Sequence, residues 1–233
     1  MGKHVFLSVL GATIIALLLG VYLSSLNQPD TQHAGFPWQV EILPSGQTRV
    51  FSLTLGESTV GDAEQLFKEI AELTLFSSTE ASTESTAVIE AFFNEVKIGG
   101  LKSKMVMSIQ LPADEIQAMF NRGARIATLG SGTRKVTLSA DDAVKVRQTA
   151  IASITYLPSV HLNAELIKNR FGEPAEKMAD SASDAVHWLY PQKGVDIALS
   201  ESDKEVILYV SPQNFDAILQ PLKNTSNNNT SNN

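Results

Sequence analysis

Residues 171–219 read FGEPAEKMADSASDAVHWLYPQKGVDIALSESDKEVILYVSPQNFDAIL, and this stretch decides the fold. Val186 to Tyr190, Val195 to Leu199 and Val206 to Val210 are short apolar runs rich in β-branched and aromatic residues. Pro191-Gln-Lys-Gly194 and Ser200-Glu-Ser-Asp203 separate them with turn-forming residues, so the stretch predicts an antiparallel meander. Ser211-Pro212 then opens a helix whose apolar positions are Phe215, Ile218 and Leu219. A looser copy covers residues 67–120. Phe67 aligns with Phe171, Ala71-Glu72 with Ala175-Glu176, and Val106 to Ile109 with Val206 to Tyr209. Pro112 aligns with Pro212, each followed by a short helical pattern. Repetition at a period of roughly 100 residues predicts two small domains of one design, because solenoid repeats are shorter.

Working outward, residues 139–170 supply two helices and a strand to the second copy. Ser139 caps the first, with Asp141 and Asp142 in its opening turn, where they complement the helix dipole. Ile154 to Leu157 is a short strand ended by Pro158. Leu162, Leu166 and Ile167 form the apolar stripe of the next helix, which Gly172 and Pro174 stop. In the first copy, Ser58 opens a helix with Val60, Ala63, Phe67 and Ile70 on one face. Leu73 to Phe76, Ala87 to Val96 and Leu101 to Leu111 are its strands, the last two joined at Gly99-Gly100. Before it, Gln39 to Leu43 and Arg49 to Leu55 form a hairpin about Pro44-Ser45-Gly46-Gln47. The fold class expected is therefore α+β, with two tandem modules of helices on small antiparallel three-stranded sheets. The modules fall at residues 36–126 and 139–222, joined by residues 127–138 and trailed by an unstructured Asn-rich tail at 223–233.

Residues 5–23 (VFLSVLGATIIALLLGVYL) carry no charge, enough for a helix to cross a bilayer core. Lys3 precedes them and the next Lys or Arg is Arg49, so the positive-inside rule puts residues 1–4 in the cytosol. The exit, Tyr22-Leu23-Ser24-Ser25-Leu26, fits a cleaved signal poorly, and an uncleaved anchor is expected, followed by a polar tether at 24–35. The placement expected is thus the inner membrane, single-pass, with the remaining chain in the periplasm.

The helix Leu162-Asn-Ala-Glu-Leu-Ile-Lys-Asn-Arg-Phe-Gly-Glu-Pro174, followed by Trp188-Leu-Tyr-Pro191, resembles the BamE/SmpA-like envelope modules. The whole chain also resembles an uncharacterised family of membrane-anchored bacterial envelope proteins. The resemblance implies small domains with helices packed on a three-stranded antiparallel sheet. It covers about 60 residues of the second copy, whereas in the first Phe67-Lys68-Glu69-Ile70 replaces Phe-Gly-Glu-Pro. The lipoprotein role of the family's namesake does not carry across, because this chain has no cysteine to acylate.

The chain of 233 residues has a net charge of −7 and no cysteine, which excludes disulfides and Cys-based zinc sites. Its charge is uneven: residues 57–96 are acidic, whereas residues 97–160 carry nine basic and four acidic side chains. Arg122, Arg125, Arg134 and Lys135 form a basic cluster, read as an interaction patch for an acidic partner or anionic headgroups. Without interleaved aromatics it is not a nucleic-acid site. Gly130-Ser131-Gly132 before Arg134-Lys135 lacks the glycine spacing and Lys-Ser/Thr ending of a phosphate loop. Glu80 and Glu84 lack the Asp/Asn/Gly context of a calcium loop.

His161 and His187 are the histidines left in the folded part, and neither belongs to an i,i+4 metal pair. No catalytic serine motif is present. Asp196 and Glu205 are candidates for an acid pair across the hairpin they flank, against a reading as surface charges. No catalytic residue, cofactor or metal is therefore expected. The leading function is a membrane-anchored, periplasm-facing, non-catalytic module that contacts an envelope protein or another envelope component. The alternatives are a small-ligand or lipid-binding domain, or an envelope hydrolase. A close-packed interior favours the first reading, and a pocket containing His161 or His187 favours the others.

Overall fold

The computed structural model describes residues 35–78, 87–180 and 183–230. Thirteen strands and five α-helices lie among them. A small antiparallel sheet holds β1 (Glu41–Ile42), β2 (Thr48–Val50) and β3 (Leu53–Thr54). Phe51 and Ser52 make the two-residue turn between β2 and β3, with φ of +53° and +65°, the left-handed pair that matches strand twist in tight hairpins.

All other strands form one ten-stranded antiparallel sheet. They are β4 (Glu72–Ser77), β5 (Ala87–Ile98), β6 (Leu101–Ile109), β7 (Arg125–Thr128), β8 (Arg134–Thr137), β9 (Ile151–Pro158), β10 (Glu176–Ala179), β11 (Val186–Tyr190), β12 (Val195–Leu199) and β13 (Val206–Tyr209). Their order across the sheet is β10-β11-β12-β13-β9-β6-β5-β4-β8-β7. The helices are α1 (Val60–Phe67), α2 (Ala113–Asn121), α3 (Ala140–Arg147), α4 (Ala164–Phe171) and α5 (Phe215–Thr230).

This corrects the expected fold class. The chain is mostly β, and the two copies do not close two three-stranded sheets of their own. β9 pairs with β6 on one side and β13 on the other, Met105 facing Tyr156 and Tyr156 facing Ile207. The physical reason lies in edges. Two separate small sheets would each expose a row of unpaired main-chain groups, and a single apolar strand between them removes two such edges. Ile151, Ile154 and Tyr156 of β9 are all buried in one core that runs from Leu75 and Phe93 to Phe171 and Ile197. The BamE/SmpA-like architecture is overturned with it.

Residues 127–138, expected to be a joint, contribute to the β7–β8 hairpin. Leu129 donates its N–H to the Thr133 carbonyl at 2.8 Å, and Gly132 donates to the Leu129 carbonyl at 2.9 Å with φ +84°. This is a three-residue loop closed by a left-handed glycine. At the C-terminus, α5 continues to Thr230 through the Asn-rich segment, although Pro221 removes one helical hydrogen bond. The single-pass inner-membrane placement is also corrected: no helix among the described residues is long and apolar enough to cross a membrane. The expected span at residues 5–23 lies outside the described residues, as do Glu80 and Glu84.

Alternation assigns the two faces of the sheet. On β11, Trp188 and Tyr190 enter the main core beside Ile167 and Phe171 of α4, while Leu189 points to the other face. There it joins Val210 and Phe215, with Ile218, Leu219 and Leu222 of α5 packed alongside. The small sheet sits over the central strands. Phe51 contacts Tyr156 and Tyr209, the Tyr209 hydroxyl donates to the Pro37 carbonyl at 2.9 Å, and the Thr48 hydroxyl donates to the Val210 carbonyl at 2.7 Å. At the β5–β6 bulge, the Glu69 carboxylate accepts the N–H groups of Asn94 and Glu95, satisfying donors that the bulge releases from the ladder.

Candidate functional site

A cleft of about 470 Å³ opens on the α4 side of the sheet, where α4 begins and the β12–β13 turn rises beside it. Asn163 caps α4, its side chain accepting the Leu166 N–H at 2.8 Å. The segment just before the cap, His161 and Leu162, forms one wall. Val186, Trp188 and Leu199 form the apolar floor, because alternation turns these positions of β11 and β12 toward α4. Lys177 of β10 lays its ammonium 3.9 Å from the Trp188 ring centroid, a cation–π contact.

Glu205 is the polar centre of the cleft. It is 1% exposed, and its carboxylate holds two partners on different oxygens. Oε2 accepts the Leu162 N–H at 3.0 Å, and Oε1 meets His161 Nδ1 at 2.6 Å. A carboxylate taken so far from water is stable only with such hydrogen bonds. The same pairing fixes the imidazole. Nδ1 meets Glu205, and Nε2 is the remaining polar atom of a ring that is 67% exposed. On the opposite rim, Ser200 donates its hydroxyl to Asp184 at 2.7 Å, and the Ser202 N–H reaches the same carboxylate at 3.2 Å. These bonds hold the Asp184 carboxyl below the usual carboxylate range, so it stays charged.

His187 lies on the other face of the sheet. Its Nδ1 meets the Asp196 carboxylate at 2.8 and 3.0 Å, and both side chains are largely buried. Asp196 and Glu205 do not form an acid pair: Asp196 stands opposite Leu208 in the β12–β13 register, and each carboxylate holds a different histidine. The Asp196 hydrogen bond, ahead of the opposing effect of burial, raises His187 above the usual imidazole value, with Asp196 and Asp180 adding attraction. A folded pKa above the unfolded one stabilises the fold below about 6.5 and loses that contribution as pH rises through the raised value. The stability of the wild type relative to His187→Gln is therefore expected to shrink as urea melts move from mildly acidic to mildly alkaline buffer. A constant difference across that range would remove the pair from the account.

The four basic residues of the expected interaction patch are in one region of the sheet edge, but most are engaged. Arg122 grips the buried Asp142 with Nε at 2.9 Å from Oδ2 and a terminal nitrogen at 2.5 Å from Oδ1. That contact, first among several, lowers the Asp142 carboxyl below its usual value, and it ties the end of α2 to the start of α3. Arg134 stacks over the Phe120 ring at 5.1 Å, and Lys135 pairs with Glu72 at 2.8 Å. Arg125 alone of the four has no such partner among the described residues. Sequence reasoning missed the His161–Glu205 pair, and the signal that was present is a single acidic residue at the mouth of an apolar strand. Among the described residues, no three of His, Cys, Asp and Glu gather to hold a metal ion. No family model, curated protein or solved structure matches this chain.

Proposed function

We propose that the chain binds a small amphipathic molecule in the cleft at the start of α4. One observation carries this reading. Glu205 is a fully buried carboxylate that fixes an otherwise exposed imidazole at the rim of a cavity large enough for a small ligand. Val186, Trp188 and Leu199 suit an apolar body. With Glu205 already paired to His161, Asp184 and Glu201 outnumber Lys177 among the lining residues, which favours a ligand with a positively charged group. Binding fits better than hydrolysis. A nucleophilic hydroxyl needs a base within hydrogen-bond reach, and the Ser200 hydroxyl is donated to Asp184 rather than to His161.

The test is a titration with octyltrimethylammonium, octyl sulfate and octyl glucoside, each below its micellar concentration, followed by amide NMR. The ammonium compound is expected to shift Leu162, Lys177, Trp188 and Ser200, and to bind tightest of the three. Asp184→Asn, which removes a charged carboxylate from the rim, is expected to weaken it by about tenfold. Shifts scattered over the surface with none at these residues would refute the site.

A further inference from the structure

We propose that the outer edge of β7 receives an extended segment of a partner protein, alternately apolar and acidic, as an eleventh strand of the large sheet. The proposal rests on the sheet edge and is independent of the cleft. β7 ends the strand order, and all four of its residues are exposed. Leu129 turns its N–H inward to Thr133. Alternation along an antiparallel strand then turns the N–H and C=O groups of Ile126 and Thr128 outward, where a further strand would meet them.

Side-chain alternation sets the chemistry of that strand. Leu75, Val136 and Ile126 lie opposite one another across β4, β8 and β7. Leu75 and Val136 are 0% exposed, whereas Ile126 is 49% exposed. The apolar row of the core thus runs out to the edge and stops uncovered. An apolar side chain on the incoming strand would complete it. The other face of the hairpin carries Arg125 and Lys135, opposite Thr137 and Ala127 respectively. Lys135 is already matched by Glu72, which leaves Arg125 to attract an acidic side chain at alternate positions. A second copy of this chain fits less well, because edge-to-edge pairing brings two basic patches together.

The test uses the full chain and two blocked hexapeptides, one alternating Val and Glu and one alternating Val and Lys. The acidic peptide is expected to slow hydrogen exchange at Ile126 and Thr128 and to leave β10, the opposite edge, unchanged. Arg125→Glu is expected to weaken it by about tenfold or more, with a similar loss at about 0.5 M salt, where exposed charges are screened. Thr128→Pro removes an outward N–H that no β8 residue uses, a substitution that edge strands tolerate. It is expected to abolish binding while the melting midpoint is kept. Equal binding of the basic peptide, protection at β10 instead of β7, or concentration-dependent dimers that protect β7 without peptide would each overturn the proposal.

Discussion

Gly194→Ala is expected to lower the stability of the whole chain by about 3–5 kcal/mol, near the top of the range for single substitutions. Gly194 closes the turn between β11 and β12 with φ +63°, a conformation that costs a residue bearing a Cβ about 1–2 kcal/mol. The larger part is steric. A Cβ there would sit 1.9 Å from the Val210 carbonyl oxygen and 3.0 Å from the Thr48 hydroxyl. Neither neighbour is free to yield. The Val210 carbonyl accepts the Thr48 hydroxyl at 2.7 Å, and the Val210 N–H donates to the Gly194 carbonyl at 2.9 Å. Moving that backbone breaks the seam between the small sheet and the end of β13. Gly172 is the internal control, since it has φ +88° with nothing within 4 Å of a built Cβ. Gly172→Ala should cost only the conformational part, about 1–3 kcal/mol, because φ +88° with ψ −171° lies in a region that essentially glycine alone populates. Urea midpoints for the two variants decide the matter, and equal losses would show that the close approach at Gly194 is absent.

The contrast between these glycines also marks what the sequence disclosed. Where side chains alternate into a core, the strands were legible. β5, β6, β11, β12 and β13 lie on the apolar runs that predict them, and the Gly99-Gly100 and Pro191–Gly194 turns sit between them. The alignment of Phe67-Lys68 with Phe171-Gly172 is matched only in part: Lys68 (φ +56°, ψ +36°) and Gly172 (φ +88°, ψ −171°) both follow a helix at positive φ, but their ψ values send the chain in different directions. Elsewhere the alignment parts from the topology. β6 pairs with β5, which aligns with β11, whereas β13, the counterpart of β6 by sequence, pairs with β12 and not β11; both β6 and β13 take β9 as their other neighbour.

β7 and β10 left no periodic trace, since edge strands bury too little to need one; Glu176, Lys177 and Ala179 are exposed, as is all of β7. Fusion of the copies into one sheet was hidden for another reason. Local alternation says that β9 is a strand with an apolar face, but not which strands flank it. The cleft was equally out of reach. Glu205 precedes β13 as an ordinary turn acid would, and its burial depends on the Leu162 N–H, a main-chain donor far away in sequence.

Phe51→Ala is expected to cost about 3–5 kcal/mol, the usual range for deleting a buried aromatic ring, and to do so in a single calorimetric transition. Phe51 is 0% exposed, with ring centroids 5.3 Å from Tyr156 and 5.5 Å from Tyr209. Those tyrosines belong to β9 and β13, the strands on which the two halves of the sheet meet. Because φ at Phe51 is +53°, alanine inherits the backbone strain without the packing, and no conformational relief offsets the cavity. Phe51→Leu keeps most of the volume and should lose clearly less. If the halves were separate modules, removing the ring would lower one melting step and leave the other in place. One sheet and one core require both halves to melt together at a lower temperature, with the calorimetric and van't Hoff enthalpies in agreement. Two resolved steps, only one of them displaced by Phe51→Ala, would return the chain to a pair of independent domains and remove β9 as their shared strand.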